Sequence, residues 1–171
     1  MPANLPYETN LDSIAKIADG RIEENDQFIS YLRDWDNDAL DKIAHIINNT
    51  VSPAIDCTAC GNCCKTLVIN VTSDEVAPLA AHLKLTPEET KEKYIEESMA
   101  GRLFINTMPC HFLADNKCTI YDSRFTECRD FPHLHKPGFK DRLPGTLGHY
   151  GRCPIIYNVI EEMKQQLGFL D

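Results

Sequence analysis

The chain has 171 residues, with 26 acidic against 17 basic side chains and a net charge of −9. That length suits one compact domain rather than two, and the charge argues against a nucleic-acid backbone or an anionic membrane as partner, since both need a basic surface. Residues 1–8 lack the basic and apolar regions of a secretory signal, and no apolar run reaches the length of a membrane span. The sequence therefore reads as cytoplasmic, a setting in which its eight cysteines more often hold metal than form disulfides.

Residues 1–50 contain no cysteine and read as a helical segment that packs on the remainder, residues 51–171. Ile22, Phe28, Ile29 and Leu32 place an apolar stripe on one helix. Leu40, Ile43, Ala44, Ile46 and Ile47 do so on the next, with Asn37 or Asp38 as its expected cap and Pro53 beyond its end. Trp35, between the two, is expected as an anchor in the core or an interface.

Past the first cysteines, Leu67 to Val71 is a β-branched run that suits a strand. Thr72 and Glu75 have capping-box spacing and open a helix that buries Val76, Leu79, Ala80 and Leu83, which Pro78 should kink or shift. Thr86, Pro87 and Glu89 open another, running to about Met99 and ended by Gly101, with Glu88, Glu89, Glu96 and Glu97 as its solvated face. Asp115-Asn116-Lys117 is turn sequence, so a β-hairpin should carry Cys110 and Cys118 near its ends. Asp122 is expected to cap a short helix from Ser123 to Asp130 that presents Cys128. Residues 131–151, rich in Gly, Pro and His, read as a loop. Cys153-Pro154 then opens the last helix, with Ile156, Val159, Ile160, Met163 and Leu167 on its buried face and Gly168 at its end.

The densest chemistry is Cys57-Thr58-Ala59-Cys60-Gly61-Asn62-Cys63-Cys64. A C-x2-C pair brings two sulfurs onto one ion through a tight turn, and Gly61 supplies backbone freedom for it. Cys57-x2-Cys60-x2-Cys63 also has the spacing of the first three ligands of a bacterial 4Fe–4S site, for which Cys153-Pro154 offers a remote fourth sulfur. Four thiolates serve zinc equally well, so spacing leaves both open, while magnesium and calcium are excluded by their preference for oxygen. His111, His133 and His135 are nitrogen candidates, each weighed against a solvated side chain. Arg124 and Arg129 are candidates for hydrogen bonds toward the thiolates, with surface ion pairs as the alternative. No G-x-G-x-x-G, P-loop, H-E-x-x-H or G-x-S-x-G sequence is present.

Taken together, Cys57-x2-Cys60-Gly61-x-Cys63-Cys64, Pro109-Cys110-x-Phe112-Leu113, Cys118-x-Ile120-Tyr121 with Arg124, and Cys128-Arg129-x-Phe131-Pro132 resemble the CxxCxxCC cysteine-cluster family, also called YkgJ-like. The resemblance runs from about Cys57 to Cys153 and implies a zinc- or iron-chelating protein. A related cluster occurs in flagellin lysine-N-methylase. Lys65 and Phe125 depart from the arginine and proline that the family often has at those places.

The expectation is an α+β fold, a mostly helical single domain with a small β element around a cysteine-ligated metal centre. Its metal ligands are Cys57, Cys60, Cys63, Cys64, Cys110, Cys118, Cys128 and Cys153, and its cofactor is Zn2+ or an Fe–S cluster. The metal is expected to be structural, because no second catalytic motif accompanies it. A redox or electron-transfer component, linked through the methylase relative to protein lysine methylation, is the rival reading, and a metal carrier a third. The metal ion is the one partner the sequence indicates. Because adjacent side chains diverge in a strand, Cys63 is assigned with Cys57, Cys60 and Cys153 to one centre, and Cys64 with Cys110, Cys118 and Cys128 to another.

Overall fold

The computed structural model describes residues 7–170; the stretch before Tyr7, on which most of the signal-peptide reading falls, lies outside them. In chain order the elements are α1 (Leu11–Gly20), α2 (Ile22–Tyr31), α3 (Asn37–Val51), α4 (Cys57–Cys60), α5 (Asn62–Thr66), β1 (Asn70–Val71), α6 (Ser73–Leu83), α7 (Pro87–Tyr94), β2 (Ile95–Glu97), β3 (Leu103–Ile105), β4 (Leu113–Ala114), β5 (Lys117–Cys118), α8 (Thr126–Asp130), α9 (Phe139–Leu147) and α10 (Pro154–Gln166). Helices account for 59% of the chain and strands for 7%, so the fold is mostly helical α+β, as expected. Among the described residues no helix is long and apolar enough to cross a membrane. The chain forms two compact units, one from residues 1–56 and 132–171 and the other from residues 57–131.

The first unit is all helical. Helix α3 starts one residue earlier than expected: Asp36, not Asn37 or Asp38, accepts a hydrogen bond from the Ala39 amide at 2.9 Å. Its Leu40, Ala44, Ile47 and Val51 are buried, whereas Ile46, counted in the apolar stripe, is 67% exposed. Trp35 is half-buried beside Tyr31, with ring centroids 6.1 Å apart. Helix α10 packs along α3 and is buried nearly all round, through Ile155, Ile156, Tyr157, Val159, Ile160 and Met163. Lys164 is fully buried on it, 2.6 Å from Glu24 and 3.0 Å from Glu161. Glu161 also accepts from Tyr150 at 2.6 Å and pairs with Arg21. Burial alone would push the Glu161 carboxyl up, but those hydrogen bonds outweigh it and hold the group below the usual carboxylate range.

The expected loop over residues 131–151 contains a helix, α9. Its glycines and Pro144 break up the apolar pattern, yet Phe139, Leu143 and Thr146 are buried at helical spacing. Its first amides are capped from afar. Asp41 on α3 accepts from Gly138 N at 2.8 Å and Phe139 N at 2.7 Å, and no local pattern could announce that partner.

The second unit is a small sheet with short helices around it. Strands β1, β3 and β2 form an antiparallel sheet in that order, pairing Val71 with Leu103 and Ile95 with Ile105. The expected strand from Leu67 is thus laddered only at Asn70 and Val71. Both capping boxes form, with Glu75 accepting from Thr72 N and Glu89 from Thr86 N, each at 2.8 Å. Helix α6 keeps its start and runs past Pro78, which lies on the exposed face where water can reach the carbonyl it leaves unbonded. Helix α7 stops at Tyr94 rather than Met99, because Ile95 turns extended and is buried in the sheet. Gly101, with φ +75°, therefore serves the β2–β3 turn instead of ending a helix. Ile69, Val71, Val76, Leu79, Ile95, Leu103, Ile105, Phe112, Ile120 and Phe125 make the core, and Cys110, Cys118 and Cys128 pack against it.

Candidate metal centre

Three short pieces of the second unit bring the sulfurs to this core. The first is the cysteine loop. Cys57 and Cys60 lie three apart on the single turn of α4, so both project from one side. Gly61 then takes a left-handed conformation (φ +58°) that starts α5, which carries Cys63 and Cys64. A Cβ at Gly61 would stand 2.8 Å from the carbonyl oxygen of Asn116, so only glycine lets the loop lie this close to the β4–β5 turn.

The second piece is the expected hairpin. Strands β4 and β5 pair Leu113 with Cys118, and Asp115 and Asn116 both have positive φ, as a two-residue hairpin turn requires. It is tied to the loop by the Cys110 amide, which donates to the Cys64 carbonyl at 2.8 Å. The third piece is α8, shorter than expected. Asp122 falls in a 3-10 turn, Tyr121–Ser123, and does not cap it. Glu75 does, accepting from the Thr126 amide at 2.6 Å, while Glu127 binds the backbone and side chain of Asn70. Cys128 is thereby fixed from two directions.

Cys63, Cys110 and Cys128 act on one another or on Cys64 through their charges, and Cys118 acts on Cys110 and Cys128. A hydrogen bond from the Cys64 thiol pulls Cys63 down to about 7. In turn that bond, burial and the charges of Cys63, Cys110 and Cys128 push Cys64 up. Burial, reinforced by Cys110, Cys63 and Cys118, pushes Cys128 up to about 12. Burial also raises Cys110, against an opposing hydrogen bond from the Phe112 amide. The strand geometry behind the expected divergence of Cys63 and Cys64 is absent, since both lie on the helical turn α5. On a helix adjacent side chains stand about 100° apart rather than on opposite faces, and the two thiols share a hydrogen bond.

The remaining candidates are placed less centrally. Cys57 is exposed and Cys60 half-buried, and Cys153 is buried in the other unit, at the N-cap of α10. His111 hydrogen-bonds Asn106 at 2.7 Å and stands edge-on to Tyr94, while His133 and His135 belong to the other unit. Arg124 lies over the Tyr121 ring, 3.9 Å from its centroid, and its buried Nε has no hydrogen-bond partner among the described residues. The Arg129 amide donates to Phe125 within α8.

The donor set fits a soft cation. Half-buried thiols such as Cys64, Cys110 and Cys128, whose proton affinity is raised by burial and by neighbouring thiolate charge, are relieved when a positive ion replaces the protons. Among the described residues, no group of three or more His, Cys, Asp or Glu side chains is already closed into a ligand set. Convergence on a metal therefore requires side-chain movement as well as deprotonation.

A sulfur-rich site on a small α+β core defines a cysteine-based metal-chelating domain. The chain belongs to the CxxCxxCC family, whose profile, described as "Putative zinc- or iron-chelating domain", matches residues 56–146. That span includes every cysteine except Cys153. No characterised protein and no solved structure matches the chain.

Proposed function

We propose that the protein binds zinc or an Fe–S cluster through its clustered cysteines and that the bound metal is chiefly structural, with residues 51–171 as the metal-binding part and residues 1–50 as an accessory helical layer. The observation that carries this reading is that Cys110, Cys118 and Cys128 pack on one small core, to which the cysteine loop is tied by the hydrogen bond from the Cys110 amide to the Cys64 carbonyl. Cys63, Cys64, Cys110, Cys118 and Cys128 hold the ion or cluster. Cys57 and Cys60 complete the set, and Arg124 and Arg129 offset thiolate charge. Bound there, a metal cross-links three chain segments and offsets the sulfur charge.

Elemental analysis and a visible spectrum of protein purified without oxygen test it. Stoichiometric zinc and a colourless solution give a structural zinc protein, whereas iron with inorganic sulfide and a brown solution give the cluster and open the redox alternative. Protein that binds neither, with all eight cysteines freely titratable, overturns the reading.

A further inference from the structure

A cleft of about 520 Å3 opens in the all-helical unit, lined by residues between 15 and 29 and between 144 and 152, none of them a cysteine. Ala15, Ala18 and Asp19 on α1, and Ile22, Asn25 and Asp26 on α2, each lie at i, i+3 and i+4 and so share one face of their helix. The opposite wall is the end of α9 and the turn after it. There a Cβ at Gly151 would stand 2.9 Å from that of Ala18, so glycine lets the turn close against α1. The volume falls within the roughly 300–1,000 Å3 typical of small-molecule sites.

Two features point to what the cleft takes. Asn25 is only 8% exposed, yet its Oδ1 has no hydrogen-bond partner among the described residues. Folded chains rarely leave a buried acceptor unpaired, so the cleft calls for a donor. Its mouth carries exposed Asp19 and Asp26 against Arg152. Ile22, 65% exposed, and half-buried Ile29 and Leu147 add an apolar wall.

We infer that this cleft binds a small organic cation, a primary ammonium group on an aliphatic stem. An ammonium has three donors and no acceptor, so it satisfies Asn25 while its charge faces Asp19 and Asp26. The stem covers Ile22, Ile29 and Leu147. A carboxylate or phosphate ligand would instead meet two like charges. The site does not depend on the metal proposed above: α1 and α2 precede the residues 56–146 that the family profile matches, and the cleft gives the helical layer a task beyond support.

The test uses the full chain as purified, titrated at neutral pH with n-hexylamine, n-hexanol and hexanoate, which share one kind of stem. Calorimetry gives the affinities, and backbone amide shifts locate the binding. Hexylamine is expected to bind about ten-fold tighter than hexanol, as one hydrogen bond to a charged group allows, and to shift the amides of residues 15–29 and 144–152. Hexanoate should not bind. Asn25→Leu, close in volume, should weaken hexylamine about ten-fold without lowering the melting temperature of the unliganded protein, because it removes an unpaired acceptor. Asp19→Asn combined with Asp26→Asn, at exposed positions, should weaken hexylamine about three- to five-fold and leave hexanol unchanged. No hexylamine binding, equal affinity for the three probes, shifts centred elsewhere, or wild-type affinity in either variant overturns the inference. Should Asn25→Leu fail to fold, the paired aspartate variant still decides.

Discussion

Of the twelve largest side chains less than 2% exposed, eleven lie in residues 1–56 and 132–171, and one, Leu79, lies in residues 57–131. The cysteines are distributed the other way, with Cys153 alone outside residues 57–131. One unit buries whole helix faces deeply enough to stand on packing. In the other, α6 and α7 are the only helices longer than five residues among the described residues, and strands of two and three residues complete a thin core. Small units of this kind need a staple beyond hydrophobic burial. Sulfur is thus concentrated where large, fully buried side chains are few.

The largest effect should come from stripping the metal. Structural zinc contributes about 10–16 kcal/mol in small domains, against a typical domain stability of roughly 5–15 kcal/mol. A strong chelator should therefore expose residues 57–131 to proteolysis and hydrogen exchange while residues 11–51 and 139–166 stay protected. Uniform protection after complete metal removal, or uniform loss, breaks the contrast. Next, Leu40→Ala, at a fully buried position in the first unit, should cost about 2–5 kcal/mol. Denaturant melts will show that loss, and metal analysis should find the stoichiometry unchanged.

Two glycines sharpen the comparison further. Gly61 and Gly138 both have positive φ, but a Cβ at Gly61 meets Asn116 at 2.8 Å and one at Gly138 meets nothing within 4 Å. Gly138→Ala should cost only the backbone term, about 1–2 kcal/mol, whereas Gly61→Ala should cost more and lower metal affinity. Equal melting shifts with equal metal content would show that the loop does not need its approach to the hairpin. The smallest effect concerns acid. Because Glu161 is held below its ordinary value of 4.5 in the folded chain, its contribution is fully present above about pH 4.5 and fades as pH falls through the lower folded value. Melting of the metal-loaded protein followed by helix signal should show this decline, and Glu161→Gln should remove that part of it.

The helices with local signals were legible. Thr72 with Glu75, Thr86 with Glu89, and Cys153-Pro154 before an apolar stripe announce three starts that the structure shows. The β4–β5 hairpin was legible in Asp115 and Asn116 for the same reason. What escaped depends on partners remote in sequence. Helix α9 is capped by Asp41, α8 by Glu75, and α7 gives way to strand because Ile95 finds Ile105. At the cysteine loop, the tight turn at Gly61 was readable from spacing, but the loop's surroundings were not. That required knowing that Cys63 and Cys64 lie on a helical turn, and that Asn116 sits against Gly61.

The Asp41 cap on α9 has a consequence for the order of events during synthesis. Its donors, Gly138 and Phe139, follow it by almost one hundred positions, and residues 57–131 are inserted between the two halves of the first unit. As the chain leaves the ribosome, the inserted unit is therefore complete before its host. It is local in sequence, so it can bind a metal while α3 still lacks α9 and α10. A folded insert also shortens the loop that the host must close. Left flexible, about 75 residues would add a closure penalty that grows only as the logarithm of their number, so a nascent chain deprived of metal should still assemble its helical host, only more slowly.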